Sequence, residues 1–508
     1  MGRQLSDEEI ATLVPAELAR NATPIPMQIV SSDEFPPSPQ TREQREVEAR
    51  LLSMAGDLAA KQGISRRRFF QTASGMAASF LAMNQVYGPL FSVSAAEAAT
   101  PDIAAARAVS LRDQFIMDMH THFLRDDTRL TSFVRMREAV GKAGWNDALS
   151  AGEQTIEDLK YENYIKEVFL DSDTKVALIS SAPSEVPEDW FLTNRQMAEA
   201  REKVNSQSGS KRLYSHAIFT PGYPGWLDDL DAALELKPDS VKGYTIGDNT
   251  HKDLSRHPWR MDDEDLTYKA YEKCLKAGVK NICVHKGLFN PATEKEFPHL
   301  RAYADVSDVG KAAKDWPDLN FIIYHSAYRF VGSDPSVALD QFEKTGRIEW
   351  TTDLAEIPEK YGVTNVYGDL GQIFAVNVVA QPRIAAAVMG TLVKGLGAER
   401  VCWGTDAVWT GSPQWQIEGL RRLEIPEEMQ KAHGFAPLGA AHGPVKAAIF
   451  GGNNARLYGI DPEEAWQSMK DDRMSKRREG YLREGANPAH TRYGFMYPDG
   501  TPPHRAFT

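Results

Sequence analysis

From about residue 110 the chain settles into a rhythm. Short runs rich in β-branched, aromatic and other apolar residues fall at 115–122, 175–181, 213–220, 241–246, 281–286, 320–325, 347–352 and 400–406. Between them lie stretches with helical spacing of apolar positions, at 262–277, 304–315, 335–344 and 382–396. The first of these opens with acidic residues and has Gly278 just past its end, the arrangement that starts and stops a helix. Strands alternating with helices pair in parallel, and eight such units predict an α/β fold, a closed (β/α)8 TIM barrel. An open doubly wound sheet is the structural alternative, but no glycine-rich phosphate loop follows the first run. A long piece separates the first two strands; its polar loop and an amphipathic helix over 155–170 are expected to form part of a lid. After Ile460 the pattern gives one charged helix (462–484) and a polar tail rich in Pro and His.

Ahead of the barrel, residues 1–64 show two short helical patterns around Pro24, Pro26, Pro36, Pro37 and Pro39. Without a large apolar face they read as an extension. Next come Ser65-Arg66-Arg67-Arg68-Phe69-Phe70, a weakly apolar stretch, and Ser94-Ala95-Ala96-Glu97-Ala98-Ala99. Paired arginines, an apolar region and a small-residue cleavage site resemble a twin-arginine export signal. The resemblance implies a periplasmic or exported protein; the plainer alternative is a basic helix start on a retained arm of a cytoplasmic one. The expected division is 1–64 extension, 65–99 signal-like segment, 100–460 barrel, and 461–508 helix and tail.

Bulk properties narrow the class further. The 508 residues are 42% hydrophobic and 25% charged, as in ordinary globular proteins. A net charge of -12 excludes non-specific nucleic-acid binding, which needs a basic surface. Cys274, Cys283 and Cys402 cannot build a disulfide framework. No run offers the roughly 20 apolar residues of a stable membrane anchor. A small-molecule substrate is the expected partner, and a homodimer the default assembly.

The chemistry concentrates at the ends of the strand runs. Asp118-Met119-His120-Thr121-His122 closes the first, and alternation puts both imidazoles on one face, about 7 Å apart along the backbone. Their neighbours Phe115, Ile116, Met117 and Met119 are apolar, which a solvated strand would not show. His285 closes the fifth run, His325 the sixth and Asp406 the eighth. Of twelve histidines, four thus sit at the C-terminal ends of apolar strands, the rim from which TIM barrels draw their catalytic residues. Each histidine alone would pass as structural; the ensemble predicts a metal site.

H-x-H on strand one, His on strands five and six and Asp on strand eight resemble the amidohydrolase superfamily. Trp403-Gly404-Thr405-Asp406 and Gly451-Gly452-Asn453-Asn454-Ala455-Arg456-Leu457-Tyr458-Gly459 are similar to its amidohydrolase-related, aminocarboxymuconate-semialdehyde decarboxylase-like branch. By position, the resemblance implies that His120, His122, His285 and Asp406 hold one divalent ion, zinc or else manganese or iron. It makes His325 a non-ligand catalytic histidine and Asp406 the proton carrier. It implies hydrolysis at a carbonyl (ester, lactone, amide or ring), with non-oxidative decarboxylation or a non-catalytic binding protein as rivals. Ser326-Ala327-Tyr328-Arg329 depart from the branch's glycines after the sixth-strand histidine.

Weaker candidates complete the set. Lys242 on the fourth strand stands where binuclear relatives carry a bridging lysine; pairing with a carboxylate is the preferred reading. Arg329 is a candidate for a substrate carboxylate, or for an ion pair with Asp334. Trp350, Trp403 and Trp409 are candidates for an aromatic pocket wall, with Trp409 the one assigned to substrate. His251 and His257 read as surface residues, and His216 as structural.

Overall fold

The computed structural model describes residues 23–28, 34–35, 40–142 and 156–484. The first helical pattern, residues 143–155 of the lid segment and the polar tail lie outside them.

Eight parallel strands follow one another around a single sheet in sequence order. They are β1 (Met117–His122), β2 (Val176–Ser180), β3 (Leu213–Ile218), β4 (Ser240–Tyr244), β5 (Asn281–His285), β6 (Asn320–Tyr324), β7 (Val366–Asp369) and β8 (Val401–Cys402). The sheet closes on itself beyond β8: Met119 N–H donates to Trp403 O (3.1 Å), and Asp406 N–H to His120 O (2.8 Å). Asn454 fastens the same seam, its amide donating to Met117 O (2.7 Å) and Trp403 O (2.9 Å). That is the physical work of the Gly-Gly-Asn-Asn motif. The TIM barrel expected from the rhythm is the fold observed.

One strand is elsewhere than expected. The 347–352 run is not the seventh strand; it turns into a helix, Thr351–Ala355. Its polar residues act as helix starters: Asp353 accepts from Trp350 N–H (3.0 Å) and Thr352 Oγ1 from Ile348 N–H (2.8 Å). The real β7 is the four-residue Val-Tyr-Gly-Asp that pairs with β6 and β8. Smaller corrections have similar causes. The 462–484 helix is two, Pro462–Met469 and Arg473–Glu484, broken where Asp472 receives the Arg212 guanidinium at 2.8 Å. The 155–170 helix is described from Ile156 and is three short turns, of which Tyr161–Ile165 is α-helical.

The N-terminal region is more integrated than its sequence suggested. Helix Arg42–Gln62 buries Val47, Leu51, Ala55 and Ala59, an every-fourth-residue stripe. It packs on helix Ala73–Tyr87, and both share one apolar core with the barrel strands. The twin-arginine-like segment is therefore part of the folded body: Phe69, Phe80 and Met83 are buried, and Glu97 pairs with the buried Arg422 at 2.6 Å. Among the described residues no helix is long and apolar enough to cross a membrane.

Candidate metal centre

Parallel pairing brings every strand's C-terminal end to one mouth, so residues remote in sequence converge there. His120 and His122 end β1, His285 ends β5, His325 follows β6, and Asp406 follows β8; all five are buried. The ligand atoms of His120, His325 and Asp406 lie within 4.8 Å of one another. His122 Nε2 joins from the side, 3.3 Å from Asp406 Oδ1, while His120 Nε2 stands 3.2 Å from the same oxygen. His285 is next to His325, with ring centroids 4.7 Å apart, but its Nε2 is turned toward Glu34 Oε1 at 2.9 Å. The tightest group thus contains His325, assigned from sequence a role beside the ion, while His285 sits at its edge.

The backbone is bent to achieve this. His325 (φ 59°) and Asp406 (φ 60°) are non-glycine residues in the left-handed region, a conformation that costs about 1–3 kcal/mol and persists only where the surroundings impose it. Here Ser326 Oγ donates to Asp369 O (2.8 Å) and Asp118 grips Thr405, accepting its N–H at 3.0 Å and its hydroxyl. Two glycines make room. A Cβ on Gly404 would lie 2.0 Å from Asp369 Oδ1, and one on Gly371 2.5 Å from His325 Nδ1. The Trp-Gly-Thr-Asp phrase is a packing requirement as much as a chemical one.

Charge in this dry mouth is controlled by burial. It holds His120, His122 and His325 well below the usual imidazole range, and the Lys242 ammonium reinforces the effect. Neutral imidazoles are the form that binds metals. Burial also pushes Asp406 up to about 7 against the opposing pull of Lys242. His120 Nδ1 is 2.9 Å from Asp369 Oδ2. With Nδ1 as donor, the Nε2 lone pair is aimed at Asp406 Oδ1, so two acceptors face each other. Donors about 2.1 Å from a shared cation would stand roughly 3 Å apart, as these do. His325 Nδ1 and Asp406 Oδ2 are buried without a hydrogen-bond partner among the described residues. Three imidazoles, a carboxylate and orphaned buried donor atoms fit a divalent ion.

The other candidates separate cleanly. Lys242 Nζ lies inside the site, 3.2 Å from His120 Nε2 and 4.4 Å over the Tyr324 ring, and its charge favours the ionised forms of Asp406 and Asp369. Trp409 stacks on His122 at 5.4 Å and walls the mouth with Phe191. Trp403 packs against Phe374 and Phe450 as core. Arg329 is corrected: its guanidinium is taken by Glu294 and Glu349, both at 2.5 Å, and lies over Trp350, while Asp334 caps the helix Pro335–Thr345. No fork is left for a substrate. His216 is structural as expected, held between Ser240 and Tyr324 at 2.8 Å each. His251 is a latch onto Asp189 (2.8 Å) rather than a surface residue, and His257 packs on Tyr223.

Sequence reasoning missed two carboxylates. Asp369 was hidden by the misplaced seventh strand. Glu34 lies in the arm, with no strand or motif around it to mark it.

No curated protein matches the sequence. Among solved structures, the chain is similar to an uncharacterised TIM-barrel protein from Bordetella bronchiseptica, at 14% identity over 68% of this chain and 98% of that one, TM-score 0.43. It is similar also to 5-carboxyvanillate decarboxylase from Sphingomonas paucimobilis (14%, 68% and 100%, TM-score 0.38). A probable 2-pyrone-4,6-dicarboxylic acid hydrolase from Acinetobacter baumannii gives 13%, 68% and 99%, TM-score 0.36. The amidohydrolase family model matches residues 117–460, from the first residue of β1 to the residue after the Asn454 seam motif, and the chain belongs to the amidohydrolase family.

Proposed function

We propose that the chain is a metal-dependent hydrolase acting on a carbonyl substrate, with His120, His122, His285 and Asp406 holding one divalent ion. The observation that carries this reading is the convergence of His120, His122 and Asp406 in one buried cluster, with His325 among them and His285 packed at its edge. Zinc suits this donor set best, ahead of manganese or iron. When bound, the ion would supply an acidified water (pKa lowered from about 15.7 to roughly 7) and a polarised carbonyl.

The chain's own residues do the rest. Asp406, beside the ion and its water, takes a proton and returns it to the leaving group. His325, kept neutral by burial, donates to the oxygen on which negative charge develops. Trp409 and Phe191 close the side of the mouth and exclude water. Asp369 and Asp118 fix His120 and the 405–406 turn.

A second reading, non-oxidative decarboxylation of a small carboxylic acid, uses the same groups. It is favoured by one observation, a carboxylate (that of Glu34) already lodged against His285. Elemental analysis of the purified chain, with lactones, esters and aromatic carboxylic acids assayed for free acid and for carbon dioxide, tests both. Less than about 0.2 equivalents of divalent metal in a correctly folded preparation would end the proposal.

The Ser65–Phe70 signature supports export by the twin-arginine route, which we also propose. The packing of Phe69, Phe80 and Glu97 supports a mature chain that keeps residues 65–99. Sequencing the native N-terminus and fractionating the cell decide both points.

A further inference from the structure

The arm ahead of helix Arg42–Gln62 reaches the mouth of the barrel. Ile25 is buried in the main core, and Gln40 Nε2 donates to Met27 O at 2.6 Å. Phe35 packs where a Cβ on Gly332 would lie 2.5 Å from its ring. Beside it the Glu34 side chain is only 1% exposed. Its Oε2 accepts from Lys252 Nζ at 2.7 Å; Oε1 accepts from Asn249 Nδ2 at 3.1 Å and faces His285 Nε2 at 2.9 Å. Both oxygens of a buried carboxylate are thus met by three nitrogens on two barrel segments.

The loop that carries Asn249 and Lys252 is also held by contacts that do not involve the arm. Asp248 accepts from the N–H groups of Thr250 (2.8 Å) and His251 (2.7 Å), and from Ser184 Oγ (2.8 Å). Lys252 Nζ also donates to Asn249 O at 2.8 Å, so the ammonium is positioned by its own loop. An ammonium, an amide and a strand-end histidine of the candidate metal centre, converging on one point, have the chemistry of a carboxylate receptor.

We propose that Lys252, Asn249 and His285 form a receptor for a substrate carboxylate, and that Glu34 occupies it as an intramolecular competitor. The inference rests on the metal-site reading above and extends it to the substrate's class, a carboxylic acid. It also makes the arm a built-in inhibitor. A tethered competitor acts at an effective concentration on the order of millimolar, so its removal should improve binding of a weak carboxylate by about tenfold or more.

The test titrates benzoate calorimetrically into the metal-loaded full chain, with metal content measured on every preparation. Glu34→Ala should bind benzoate at least about tenfold tighter than wild type at unchanged metal content, and Glu34→Ala/Lys252→Ala should lose the gain. Benzamide, which lacks the charge, should show no change. Glu34→Gln, which preserves the volume seated in the pocket, covers the case in which the alanine variant does not fold; it should give a smaller gain. Unchanged benzoate affinity in Glu34→Ala or Glu34→Gln would overturn the proposal, as would a gain that survives loss of Lys252. Metal lost specifically on Glu34→Ala would overturn it too, by making Glu34 a ligand. Wild type devoid of metal would instead defeat the metal-site reading, a result separable from the benzoate series.

Discussion

Asp369 offers the sharpest test of the proposed metal site, because it touches the ligand set without belonging to it. Its Oδ2 lies 2.9 Å from His120 Nδ1 and 3.4 Å from His325 N. Replacement by alanine removes the acceptor that fixes the His120 tautomer, leaving the ring free to present N–H rather than a lone pair to the ion. Leaving the buried His120 N–H without its partner costs about 1–3 kcal/mol. At about 1.4 kcal/mol per decade that is roughly fivefold to 100-fold in metal affinity, close to the range seen for partners that orient ligating histidines. Asp369→Asn retains an acceptor oxygen for His120 and should stay within about tenfold of wild type. Competition with a chelator of known zinc affinity measures both, and thermal melting of the metal-free forms separates binding from folding. Wild-type affinity in Asp369→Ala would refute the claim that His120 ligates through Nε2.

Three further outcomes follow from the same geometry. His325→Ala should keep about one equivalent of metal and lose about 10²–10⁴-fold in turnover, the usual contribution of a proton-transfer group; loss of metal in elemental analysis would make His325 a ligand instead. Glu97→Ala removes one of two carboxylates from the buried Arg422, whose other partner is Glu418 at 3.1 Å, and should cost about 1–3 kcal/mol in denaturant unfolding; no change would deny the 65–99 segment a stabilising role. Burial pushes Asp173 up, but Arg421, Arg478 and Lys175 outweigh it and hold the carboxyl below its ordinary value of 3.8. Its contribution to stability is therefore complete above about pH 5 and lost as pH falls, so Asp173→Asn should be less stable at neutral pH with a flatter acid limb in melts; parallel curves would count against the pairing.

What could be read in advance was whatever a strand end announces. His120, His122, His285, His325 and Asp406 each close an apolar run, and parallel topology does the rest, so five residues spread over nearly 290 positions were placed at one mouth. The seventh strand shows the limit. Ile348 and Trp350 alternate like strand residues, whereas Val366–Asp369 is only four residues long, too short for periodicity to register. What decides between them is tertiary: only the shorter run fills the gap between β6 and β8. The stripe Val47, Leu51, Ala55, Ala59 was visible but narrow, set among charged and polar neighbours, and its meaning depended on the partner helix at Ala73–Tyr87.

Residues that set the ion and residues that set the substrate are built on different scaffolds here, and this explains why one group was legible and the other was not. A ligand at a strand end inherits its direction from the sheet, so its function is encoded within a few neighbouring positions. Lys252 and Asn249 inherit theirs from a loop fixed by Asp248, Ser184 and Asp189, contacts that span more than 60 positions and leave no local pattern. Glu34 is more remote still, held by an arm whose path no periodicity describes. The same division makes the experiments independent. Changes at Asp369 act on the ion through β1 and β7, changes at Lys252 act on a carboxylate through the loop after β4, and the two sets meet only at His285. If their effects on metal and benzoate binding prove additive, the mouth is two sites sharing a histidine; strong coupling would mean that ion and carboxylate are bound as one unit.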